Sequence, residues 1–121
     1  MKVLALALTA ALSGVAYADC PYPAAPDKLP NGTSATMEEM VAGQKAVRAY
    51  DKAIQEYVAC IDAELDAAIT KAGDQLKPQQ KADMQKVEAQ KHNAAIDQDQ
   101  NIADRFNEQV KVFKAKTAEK K

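Results

Sequence analysis

Between Gly73 and Pro78 the chain reads G-D-Q-L-K-P, and this short run separates two long stretches that contain no proline. Glycine ends helices because it accepts left-handed backbone without a Cβ clash, while proline suits a first helical turn, where its missing amide has no partner to lose. The run therefore predicts one helix stopping near Ala72 and a second starting at Pro78. The connection, Gly73 to Lys77, is five residues long, and connections this short leave neighbouring helices antiparallel. The expected fold class is all-α: a long antiparallel αα-hairpin.

Upstream of the turn, Thr36-Met37-Glu38-Glu39 places a hydroxyl residue three positions before a glutamate. In that capping box each side chain satisfies an amide left open at the helix start, so helix 1 is expected over residues 37–72. At 100° per residue Met40, Val47, Ile54, Val58, Ile61, Leu65, Ile69 and Ala72 share one stripe. Arg48, Lys52, Gln55, Asp62 and Asp66 lie opposite. Gly43 interrupts this helix at a cost of about 1 kcal/mol against alanine. Downstream, helix 2 is expected over 78–116 with Met84, Ala95, Ile102, Phe106, Val110 and Phe113 as its stripe. Glu88, Lys91, Gln98 and Gln109 break or flank that stripe, so helix 2 is the more polar of the two.

The N-terminal part differs in character. Lys2, an apolar run from Val3 to Ala11 and the small residues ending at Ala16-Tyr17-Ala18 have the layout of a secretory signal peptide over residues 1–18. The apolar run is shorter than the ~20 residues of a spanning helix. Asp19 precedes Cys20, whereas lipid attachment needs small residues there, so Cys20 reads as a thiol of the mature chain. The expected destination is the periplasm or the medium, where thiols oxidise. Cys20 and Cys60 are the two cysteines, and an even count in such a compartment favours one intramolecular disulfide, with an intermolecular bridge as the competitor.

Pro21, Pro23, Pro26 and Pro30 make residues 19–36 an extended, polyproline-like strap, with a turn at Asn31-Gly32. Lengths allow the strap to reach Cys60. Cys60 stands about 35 Å along helix 1 at 1.5 Å per residue, and the segment from Cys20 to Thr36 covers about 50 Å at 3.1 Å per residue. The expected seat is a shallow alanine flank of helix 1, formed by Ala42, Ala46, Ala49 and Ala53 beside Cys60. Tyr50 and Tyr57 border it and offer ring faces to Pro21, Pro23 and Pro26; the alternative is that these alanines are only helix formers on a solvated side.

Composition narrows the chemistry. Without Lys2 the chain carries 15 basic and 17 acidic residues, a formal charge of −2, which gives no electrostatic pull toward nucleic acid. Tryptophan is absent and aromatic residues make up 5%, few for a small-molecule pocket. His92 is the only histidine, and both cysteines are assigned to the bridge, so a nucleophile–histidine device lacks its parts. The chain reads as a non-enzyme with no cofactor. Metal binding is the one site to weigh: Glu88 and His92 are four apart on helix 2, and Asp99 lies two turns further toward the same edge. Against it, a solvated or partner-facing polar edge needs no metal. Asp62, Glu64 and Asp66 read as a solvated face. Lys114, Lys116, Lys120 and Lys121 complement the dipole of helix 2 and offer a weak contact to an anionic membrane surface.

The run Pro26–Glu64, with P-D-x-x-P-N-G near its start and Y-x-x-x-I-x-x-Y-V-A-C-I-D-A-E at its end, resembles a loosely defined group of small, uncharacterised secreted proteins of Gram-negative bacteria. So do K-H-N-A-A-I-D at Lys91–Asp97 and R-F-N-E-Q-V at Arg105–Val110. The resemblance implies a periplasmic setting and carries no reaction. Three roles remain: a structural or protein-interaction module pairing with another copy or with a foreign protein partner, a chaperone-like holdase of the cell envelope, and a metal-binding protein using His92.

Overall fold

The structure, a computed structural model, describes residues 20–120; the signal-peptide assignment to residues 1–18 lies outside them. Helix α1 spans Met37–Ala72 and helix α2 spans Pro78–Glu119, joined through a single 3-10 turn at Gly73–Gln75. The helices pack antiparallel against each other, and no strand occurs among the described residues.

Each boundary has a local cause. At the start of α1 the Glu39 amide donates to Thr36 Oγ1 at 3.2 Å while the Thr36 amide donates to Glu39 Oε2 at 2.7 Å, the reciprocal cap expected from the sequence. Gly73 ends α1 at φ 52°, its amide turning back to the carbonyl of Ile69. Pro78 opens α2, and the Lys77 amide is satisfied by Gln80 Oε1 at 3.0 Å. Helix α2 runs three residues beyond the expected end near Lys116. Thr117 folds its hydroxyl back onto the carbonyls of Phe113 and Lys114, and Ala118 and Glu119 hold no breaker, so nothing stops the helix earlier.

Cys20 and Cys60 form a disulfide with a Cα–Cα distance of 5.8 Å. From that bond the strap runs back along α1 toward its N-terminus. At Asn31 it turns, with the Ala35 and Ser34 amides donating to the Asn31 carbonyl and the Thr33 amide to Asn31 Oδ1. The seat of the strap differs from the expected alanine flank. Ala42, Ala46 and Ala49 remain exposed, and the strap instead lies in the groove between the helices. Ala25 and Leu29 pack against a buried cluster of Tyr50, Ile54, Ala95 and Ile102, and Leu29 also packs against a second cluster of Ala35, Met40 and Phe106. The physical reason is area: a groove floored by both helices buries Ala35 and partly buries Leu29, whereas a row of methyl groups on one helix would cover little apolar surface. Tyr57 meets the ring of Tyr22 from the strap, edge-on at 5.0 Å between centroids.

Two glycines make this seating feasible. A Cβ on Gly43 would stand 2.7 Å from the ring of Pro30 and 3.0 Å from Phe106. A Cβ on Gly32 would collide with the Gln109 carbonyl and stand 2.8 Å from the Phe113 nitrogen. The Gly32 amide donates to Gln109 Oε1 at 2.9 Å, tying the tip of the strap to α2. Gly43, a defect by helix propensity alone, is the notch that admits Pro30. Gly43→Ala should therefore lower the unfolding midpoint despite the ~1 kcal/mol alanine brings to a helix, and Gly32→Ala should cost about 1–3 kcal/mol through overpacking. Chemical denaturation of both variants checks this, and a more stable Gly43→Ala protein would place the strap elsewhere.

Candidate functional site

Antiparallel pairing about a turn centred on Gln75 brings together residues equidistant from it. Two such pairs are acidic. Asp51 and Asp99 each lie 24 positions from Gln75, and Asp62 and Glu88 each lie 13 positions away. Both pairs meet across the hairpin, close enough for Asp62 to raise the pKa of Glu88 and for Asp51 to raise that of Asp99.

The Asp51–Asp99 pair sits at the level of the strap. Asp99 Oδ1 is buried with no hydrogen-bond donor on it. Burial first, then the hydrogen bond and the charge of Asp51, push the Asp99 carboxyl up to about 6. Ionising both groups in this setting would leave two negative charges facing each other with little water between them. Tyr50, beside Asp99, has a buried hydroxyl that closes no hydrogen bond of good geometry. Burial, then neighbouring Tyr22 and the charge of Asp99, raise its pKa to about 12.

The second pair lies beyond Cys60, toward the turn, and includes the histidine. His92 Nδ1 stands 3.9 Å from Glu88 Oε1 on its own helix and 4.0 Å from Asp62 Oδ1 on α1. The hydrogen bond with Asp62 and then burial raise the Glu88 pKa; His92 opposes them. Of the candidate ligands Glu88, His92 and Asp99, the structure brings the first two together and places Asp99 with Asp51 instead. The third carboxylate beside His92 is Asp62, expected from the helical wheel to belong to a solvated face. Its side chain is 51% exposed, so the wheel is right about water and silent about the neighbouring helix.

Cys20 and Cys60 are brought together as expected, and a disulfide of this kind belongs to an oxidising environment. No helix among the described residues is long and apolar enough to cross a membrane. The chain was compared with known proteins, and no family model, curated protein or solved structure matches it.

The acid pairs give stability a pH dependence of definite sign. Asp99 has a folded pKa near 6 against about 3.9 in an unfolded chain, so it binds its proton more tightly when folded. Its contribution is complete below about pH 4 and is lost as pH rises through 6. The Glu88 shift acts in the same direction. Asp99→Asn, which stays neutral, should keep more of its acid stability than the wild type between pH 4 and 7. Thermal melts across that range test this, and parallel curves for the two proteins would contradict it.

Proposed function

We propose that this chain is a periplasmic or secreted helical module that works by docking another protein, a second copy of itself in the first instance, and carries out no reaction. The observation that carries this reading is an open apolar groove on the half of the hairpin the strap leaves bare. Among the described residues the strap reaches back to Cys60 and no further along α1. Past that point Ile61, Leu65, Met84 and Val87 line a groove between the helices, with Glu64, Asp83 and Lys91 at its edges. Val87 is 50% exposed.

An apolar seam with charged edges, floored by two helices, suits an amphipathic helix laid into it. A hairpin offers two such grooves, and the strap occupies only one stretch of one. Helical packing commonly completes such surfaces by adding helices. A second apolar surface at the free end points the same way: Met37 and Val41 are exposed beside Phe106, Val110 and Phe113. Methionine adapts its shape to varied partners.

Light scattering of the oxidised protein over a range of concentrations is the test. The wild type should show the mass of a dimer or higher assembly, and Met84→Glu with Val87→Glu should return it to a monomer while its helical content is kept. A wild type that stays monomeric throughout would remove self-association as the basis of the function.

A further inference from the structure

We propose that Asp62, Glu88 and His92 form a binding site for a divalent first-row transition metal ion, held between the two helices just beyond the disulfide. The three donor atoms lie within 4.8 Å of one another. Each comes from a position fixed by the fold. Glu88 and His92 are one helical turn apart on α2, and Asp62 faces them from α1 because the turn at Gly73–Gln75 sets the register.

Several observations point to a cation rather than to an idle polar edge. Two carboxylates converge on one spot, and among the described residues neither forms an ion pair with a lysine or arginine. Lys91 lines the same groove but pairs with neither of them. Glu88 Oε1 is buried and has no hydrogen-bond donor, an arrangement proteins rarely leave unanswered. The neighbouring His92 nitrogen, in the neutral imidazole, can present a lone pair to the same point. A cation there would answer the buried oxygen and the facing carboxylates together.

The donor set selects the class of ion. An imidazole nitrogen with two carboxylate oxygens suits zinc, copper or nickel, whereas calcium and magnesium prefer oxygen alone. Bonds of about 2.0–2.2 Å in tetrahedral geometry put donor atoms about 3.4 Å apart. The separations of 3.9 and 4.0 Å close to that by small rotations of Asp62 and His92, which are 51% and 39% exposed. Three protein donors leave one position for water or for a donor from a partner. The other cluster of this kind, Cys20, Cys60 and Glu64, has its sulfurs in the disulfide and offers no thiolate.

All three donors come from one chain, so a monomer can hold the ion, although Glu88 also lines the groove proposed for docking. It is tested by titrating zinc into the oxidised, tag-free and chelator-treated protein in a calorimeter, with cobalt absorption as a second readout. The expected result is one ion per chain, with affinity weakened about ten-fold or more by either His92→Ala or Asp62→Asn, and an Asp99→Asn protein that binds like the wild type. Zinc should also raise the melting temperature of the wild type and leave that of His92→Ala unmoved. No binding heat in the wild type, or an unchanged affinity in His92→Ala, would overturn the site. An unchanged affinity in Asp62→Asn would overturn its two-helix character.

Discussion

The seating of the strap in the hairpin groove is the constraint on which the rest depends. Two helices alone meet along one seam, yet α1 and α2 carry apolar stripes wider than a seam, and a third layer packs against the buried clusters that hold Met40, Ile54, Ile102 and Phe106. Leu29 and Ala35 supply that layer. The strap has no regular hydrogen bonding of its own, so it is held by fixtures: the disulfide at one end, the Gly32–Gln109 bond and the Thr36 cap at the other. Closing a loop of 40 residues contributes about 4 kcal/mol on the chain-entropy model. That is a large part of the 5–15 kcal/mol by which small domains are stable.

The strap divides the hairpin into two unlike halves. From Asn31 to Cys60 the strap lies over the groove, and the Asp51–Asp99 pair is half-buried with Asp99 Oδ1 out of water. From Ile61 to the turn and back to Lys91 the groove is open, and there the Asp62 and His92 side chains reach water while Glu88 Oε1 stays buried. The half that binds the strap supplies the stability, and the half without it keeps exposed Val87 and the metal-ligand types. A site on the bare half rests on two regular helices already locked in register by the covered half. Its geometry can therefore be held without burying the site itself.

The elements were legible in the sequence because they are encoded locally. Thr36 with Glu39, Gly73 and Pro78 each mark a helix end through a local backbone interaction, and the stripes of α1 and α2 name the buried helical residues except Gly43 and Tyr50. The disulfide followed from two cysteines behind an expected secretory signal and from the reach of the strap. What was not legible depends on two elements at once. The wheel of α1 gave Asp62 to solvent because a wheel knows one helix; its meeting with His92 needs the register about Gln75, and the signal was the pairing of acids at equal distances from the turn. Gly43 looked like a flaw for the same reason, since its purpose lies in Pro30. The alanine flank attracted the strap on paper because small side chains permit close approach, but permission is weaker than the burial of Ala35 and partial burial of Leu29 against both helices.

The most direct measurement is native-state hydrogen exchange at the Gly32 amide, with global stability, in the oxidised protein and in a Cys20→Ser, Cys60→Ser variant. If sulfur holds the strap in its groove, the variant loses protection at Gly32 and about 4 kcal/mol of stability while the helices persist. Equal protection and equal stability without the bond would contradict the account.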